Sequence, residues 1–119
     1  MLTDNKEDNY IQFFEEAIDT GCVWGLQSHE GWAQCASEKY ADTPVIPFWS
    51  QPEYADTHRQ DDWQHYDVTA IALEEFLDDW LMGMHKDVIL VGINWNENLE
   101  GEDFEPLDIL SEFEKALNI

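Results

Sequence analysis

Val88-Ile89-Leu90-Val91-Gly92-Ile93 is the stretch that decides the fold. A strand with one wet face alternates apolar and polar residues, and this run does not alternate. It therefore reads as a strand buried on both faces and placed centrally in a sheet. Asn94-Trp95 follows at once, so a polar amide ends a wholly apolar segment. Upstream, Val68 to Ala72 is a short extended piece leading into a helix. Leu73, Phe76, Leu77, Trp80, Leu81 and Met84 form one stripe of that helix, and Glu74, Glu75, Asp78 and Asp79 occupy the other face. Acids near its start and His85 and Lys86 near its end suit the helix dipole, and Gly83 is expected to mark its terminus. Downstream, an acidic loop runs from Glu97 to Glu105. Pro106 then opens a terminal helix with Leu107, Leu110, Phe113 and Leu117 facing inward.

The first half of the chain supplies partners for that central strand. Tyr10, Ile11, Phe13, Phe14, Ala17 and Ile18 recur at helical spacing, Asp4 or Thr3 can cap the start, and Gly21 suits a left-handed terminator. Cys22 to Ser28 and Trp32 to Ser37 read as two strands of a hairpin turning at His29, Glu30 and Gly31. After a polar loop from Glu38 to Thr43, Pro44-Val45-Ile46-Pro47-Phe48-Trp49 reads as a strand. Its prolines cannot donate ladder hydrogen bonds, which predicts an edge or a bulge. Ser50 with Glu53 matches a capping box, Pro52 suits an early helical position, and the helix is expected to reach about Asp62, with Trp63 anchoring its end. The fold class this predicts is α+β: a small mixed or antiparallel sheet of about four to five strands covered by helices, in one domain spanning 1–119. No strand leads through a Gly-rich turn into a helix, so a doubly wound fold is not expected.

Charge bounds the function. The 119 residues carry 27 acidic and 5 basic side chains, a formal net charge of −22. A folded chain of this size exposes on the order of 6,700 Å², or one net negative charge per 300 Å². Such charges lie about 17 Å apart, twice the Debye length at physiological salt, so their repulsion acts mainly at low ionic strength. Nucleic acid and anionic membranes are excluded as partners, because both need clustered Lys and Arg. No apolar run approaches a membrane span, and no basic n-region precedes an apolar stretch. Cys22 and Cys35 are too few for a disulfide framework and read as free thiols, which with the missing leader predicts a cytoplasmic location.

The motifs that invite chemistry do not meet its requirements. His58, Asp61, Asp62 and His65 are the densest ligand cluster, but zinc needs three or four converging ligands, and an exposed, solvated helix end is the better account. The oxygen-rich loop Asn94 to Asp103 raises calcium. Counted from Asn94, however, Gly101 falls at the eighth position, where an EF-hand needs its glycine at the sixth. No cofactor, metal or catalytic residue is therefore nominated. Large rings gather instead where elements end: Pro47-Phe48-Trp49-Ser50, Trp80-Leu81-Met82-Gly83-Met84 and Gly92-Ile93-Asn94-Trp95. Helical spacing cannot bury Met82 together with Leu81 and Met84, and a buried Asn94 must find partners for its amide. Asn94 either pins the following loop or lines a shallow groove with Trp49 and Trp95, and these three with Met82 form the candidate binding surface.

These junctions also resemble a bacterial family known as domain of unknown function 2750. The similar stretches are Val23-Trp24-x-Leu26 with Gly31, Pro47-Phe48-Trp49-Ser50, the helix from Leu73 to Met84, Leu90 to Trp95, and Leu99-Glu100-Gly101 with Pro106-Leu107. Their order covers nearly the whole chain. The resemblance implies a small stand-alone bacterial protein and brings no catalytic residues with it. Two functional expectations follow. The first is a non-enzymatic interaction or regulatory module, immunity-like in one version, that binds a basic protein. The alternative is a small-molecule binder or enzyme with a pocket around Trp49, Asn94 and Trp95.

Overall fold

The computed structural model describes residues 2–37, 40, 42–60, 63–96 and 101–118. The fold is α+β, with a three-stranded antiparallel sheet and a four-stranded mixed sheet. Helix α1 (Lys6–Thr20) is capped by Asn5, whose side chain accepts the Asp8 N–H, rather than by Asp4 or Thr3. Gly21 ends it at φ 76°, the left-handed terminator expected there. Strand β1 (Cys22–Ser28) turns through His29 and Glu30 into β2 (Gly31–Trp32). The second hairpin arm then changes partner. Ala33 still donates to the Leu26 carbonyl at 2.8 Å, but β3 (Cys35–Ala36) has crossed to pair with β4 (Pro44–Phe48).

β4 is interior to its sheet rather than at its edge, with β3 on one side and β6 (Leu90–Ile93) running parallel on the other. The prolines are tolerated because of where the ladder is interrupted. Strand alternation puts the Pro47 nitrogen on the side of Val45 and Trp49, between the Cys35–Val45 pair and the Trp24–Trp49 bridge. Among the described residues no ladder pair falls at that step, so the missing donor interrupts none. The Trp24–Trp49 bridge, two N–H···O bonds of 2.8 Å, joins the sheets at one point. Helix α2 (Pro52–Asp56) lacks the expected capping box: its N-cap is Gln51, which makes no side-chain cap bond, and it stops before Asp62. Ser50 is buried and its hydroxyl is engaged elsewhere.

Strand β5 (Asp67–Ala72) pairs with β1 over six positions and runs directly into a helical rod: α3 (Leu73–Glu75), a π-helical turn (Phe76–Trp80) and α4 (Leu81–Asp87). Gly83 does not end this helix. The terminator is Val88 at φ 58°, so the first residue of the expected strand belongs to the helix cap. Leu90–Ile93 is buried throughout, as its composition predicts. The stretch read as an acidic loop contains β7 (Asp103–Phe104), which pairs with β6; residues 97–100 lie outside the described residues. In α5 (Pro106–Leu117), Ile109 and Phe113 are buried, whereas Leu107 is exposed instead of facing inward.

Alternation along β4 and β6 divides the core. Ile46, Phe48, Val91 and Ile93 meet α1, the rod and α5 through Phe13, Phe76, Leu81 and Phe113. The opposite face carries Val45 and Leu90, which pack with Trp95, and Leu26, Ala33, Trp49 and Ala55 form a further cluster. Each fully buried large side chain contributes about 1.5–3 kcal/mol relative to exposure. No helix among the described residues is long and apolar enough to cross a membrane.

Val88 is β-branched, 68 % exposed and left-handed, so its side chain adds strain and little packing. Val88→Gly should raise stability by about 1 kcal/mol, seen as a higher urea midpoint with an unchanged slope.

Candidate functional site

The parallel register of β4 and β6 ends both strands side by side, with Phe48 opposite Ile93, and so delivers Trp49-Ser50 and Asn94-Trp95 to one place. Asn94 turns the chain at φ 44°, a conformation asparagine tolerates better than most side chains. Its N–H donates to the Phe48 carbonyl at 2.9 Å. Its Oδ1 accepts the Ser50 N–H at 2.9 Å, and its Nδ2 donates to the Asn9 carbonyl at 3.1 Å and the Ser50 hydroxyl at 2.9 Å. The residue is completely buried with every amide function used.

The aromatic residues close over this turn. Trp49 is fully buried, and its indole N–H donates to the Trp95 carbonyl at 2.9 Å. The same carbonyl faces His58 Nε2 at 3.2 Å; since a carbonyl only accepts, Nε2 carries the proton. His58 stacks on Trp49 with centroids 5.0 Å apart and is buried, so it is not the solvated helix end that the sequence suggested. Burial outweighs its backbone hydrogen bonds and pushes its pKa below the usual histidine range. Trp95 folds back over its own strand: a Cβ at Gly92 would lie 2.7 Å from the indole, and one at Gly101 would overlap it. Both glycines serve that close approach.

Glu16 joins this interior to the surface. Its Oε1 accepts from the Ser50 hydroxyl at 2.8 Å and Gln12 at 3.0 Å, and its Oε2 accepts from Gln51 at 3.0 Å and the Tyr54 hydroxyl at 3.4 Å. Burial alone would raise the carboxyl pKa, but these four donors together hold it below the ordinary glutamate range. Burial and the neighbouring Glu16 charge raise the Tyr54 phenol. The result is an ionised carboxylate with saturated donors that clasps α1 to the turn between β4 and α2. It is arranged to hold charge rather than to transfer a proton.

The structure thus brings Trp49, Asn94 and Trp95 together, in the interior rather than on a surface. Their side-chain polar atoms are already bound to protein partners; the Trp95 indole N–H meets the Glu102 carbonyl at 3.3 Å. Met82 is not part of this cluster; it is exposed on α4. Among the described residues no group of three or more His, Cys, Asp and Glu is placed to hold a metal, and Asp61 and Asp62 lie outside them. Cys22 and Cys35 are free and half-buried. Glu16, Gln12 and Tyr54 carry no signal in the sequence, because Glu16 is one acid among 27.

Fold and site together define a small α+β protein whose parallel strand ends are locked by an internal amide–carboxylate network. The chain belongs to the family described as Protein of unknown function (DUF2750), whose model matches residues 10–113. No curated protein and no solved structure matches the chain.

Asn94→Ala should cost at least about 3 kcal/mol, because it strands the Ser50 N–H in a dry site and leaves alanine at positive φ. Denaturant unfolding checks this. Glu16→Gln should cost about 1–2 kcal/mol at neutral pH. The native carboxyl titrates below its unfolded value, so its stabilisation is complete above the unfolded pKa and is lost as pH falls through the folded one. The gap between the two proteins should therefore close on acidification, and subtraction removes the titration they share.

Proposed function

We propose that this protein is a non-enzymatic interaction module that binds a basic protein through its carboxylate-covered surface, as an immunity-like inhibitor does. The observation that carries this reading is the distribution of charge. Most described carboxylates are exposed, and the ion pairs among the described residues involve only Arg59, Lys115 and His29 as cations. The accessible surface is 6899 Å², so the net charge of −22 spreads at one per roughly 310 Å². At this density the field reaches a cationic partner beyond contact range only when salt is low, which favours encounter and selects against anionic partners.

The helical rod presents the densest acidic face, with Glu74, Glu75, Asp78 and Asp79 exposed beside Met82, which is 49 % exposed. An apolar side chain within an acidic field is the composition that a basic protein surface complements. The pocket alternative gains no comparable support, since Trp49, Asn94 and Trp95 are committed to the interior. The test is affinity capture at low and physiological salt, followed by calorimetry with the purified protein retained. A partner of high isoelectric point is expected, with an association rate that falls steeply as salt rises. Retention of no basic protein at either salt overturns the reading.

A further inference from the structure

We propose that a groove beside the rod, at Gly83, is a docking cleft for an arginine side chain of the basic partner. This rests on the reading above and names the chemistry by which that partner is held. The groove has a volume of about 320 Å³, at the small end for ligand clefts and suited to one side chain. Its floor is apolar, with Ile46 and Met84 buried and Trp80 and Ile89 half-buried. Asp79 and Asp87 line it as well; both are exposed and have no ion-pair partner among the described residues.

Asp79, Gly83 and Asp87 follow one another at four-residue spacing, so they form one ridge of the helix with a gap between two carboxylates. A guanidinium over Gly83 meets a carboxylate one turn away on either side. Its planar face suits the Trp80 indole, and its stem suits Met84 and Ile89. Trp80 is already held, roughly perpendicular to Trp32 at 4.8 Å and to Phe48 at 5.7 Å, so little side-chain freedom remains to be lost on binding.

Three locally unfavourable choices meet at this groove. The π-helical turn ends at Trp80, immediately before α4. Gly83 sits in a helix interior, where glycine is a poor choice, yet its φ is not left-handed and a Cβ there would meet nothing within 4 Å. The fold has no need of that glycine, but a side chain there would fill the gap. Val88 then closes the helix in the left-handed region, and Ile89, bonded to the Met84 carbonyl at 2.9 Å, enters the lining. Local stability is given up where an open groove requires it.

The test is a titration of the full ¹⁵N-labelled chain, followed by NMR, with an acetylated, amidated Leu-Arg-Leu tripeptide and its citrulline counterpart. The arginine peptide should shift the Gly83 amide and Trp80 indole signals saturably, and the citrulline peptide should not. Asp79→Asn with Asp87→Asn should weaken binding at least tenfold, whereas Glu7→Gln with Glu15→Gln, on the exposed side of α1, should change it less than twofold. Gly83→Leu should abolish it while the melting temperature holds or rises, which separates a filled groove from a lost fold. Equal losses from both pairs of acid variants, or shifts spread over the whole surface, overturn the groove. If a basic protein is still retained by Gly83→Leu, the groove is wrong while the basic-partner reading stands. If the native chain retains no basic protein, that reading fails whatever the peptide does.

Discussion

The Asn94 side chain ties the ends of two parallel strands to the first helix at a point closed to solvent. Its oxygen takes the Ser50 N–H, and its nitrogen supplies Asn9 and Ser50. Parallel strands that stop together leave unpaired backbone groups at the same level, and in an apolar interior each such group is costly. One amide, with two donors and an acceptor, resolves that problem for β4, β6 and α1 at once. Other features follow from it: Ser50 is withdrawn from helix capping, Glu16 is drawn inward to accept the Ser50 hydroxyl, and Trp49 and Trp95 seal the turn.

Around this dry junction the surface is electrostatically one-sided. The protein separates its two resources, placing most large rings inside and carboxylates outside. Glu16 is the place where they meet, and there the charge is matched by four donors rather than by a cation. The helical rod is the other exception, since Trp80 and Met82 remain within reach of solvent among acids. Helix α1 also exposes one apolar residue among acids, Ile11, but its phenylalanines are buried.

Periodicity made the helices and the buried strand legible, because burying one face of a regular element imposes a repeat on the residues themselves. The left-handed stop at Gly21 and the wholly apolar Leu90–Ile93 belong to this class. Cap assignments were less legible. Ser50 carries the right residue type for capping, yet a buried partner 44 positions away claims it. Gly83 looks like a terminator, and instead the helix continues through it. For the candidate site, the sequence grouped Trp49, Asn94, Trp95 and Met82 as a surface; the first three meet in the interior, and Met82 lies apart on α4. It could not mark Glu16, and it read His58 as solvated, because the roles of both depend on donors and rings brought from other elements.

Local composition and spacing alone determined the α+β class and the acidic net charge, since both depend on residue type and nearest-neighbour spacing. Tertiary structure alone decided that β4 lies inside its sheet, that β2 and β3 serve different strands, and that a groove opens at Gly83. Those outcomes depend on which backbone groups and rings from distant segments arrive at the same place, and such meetings leave no repeat in the chain to be read.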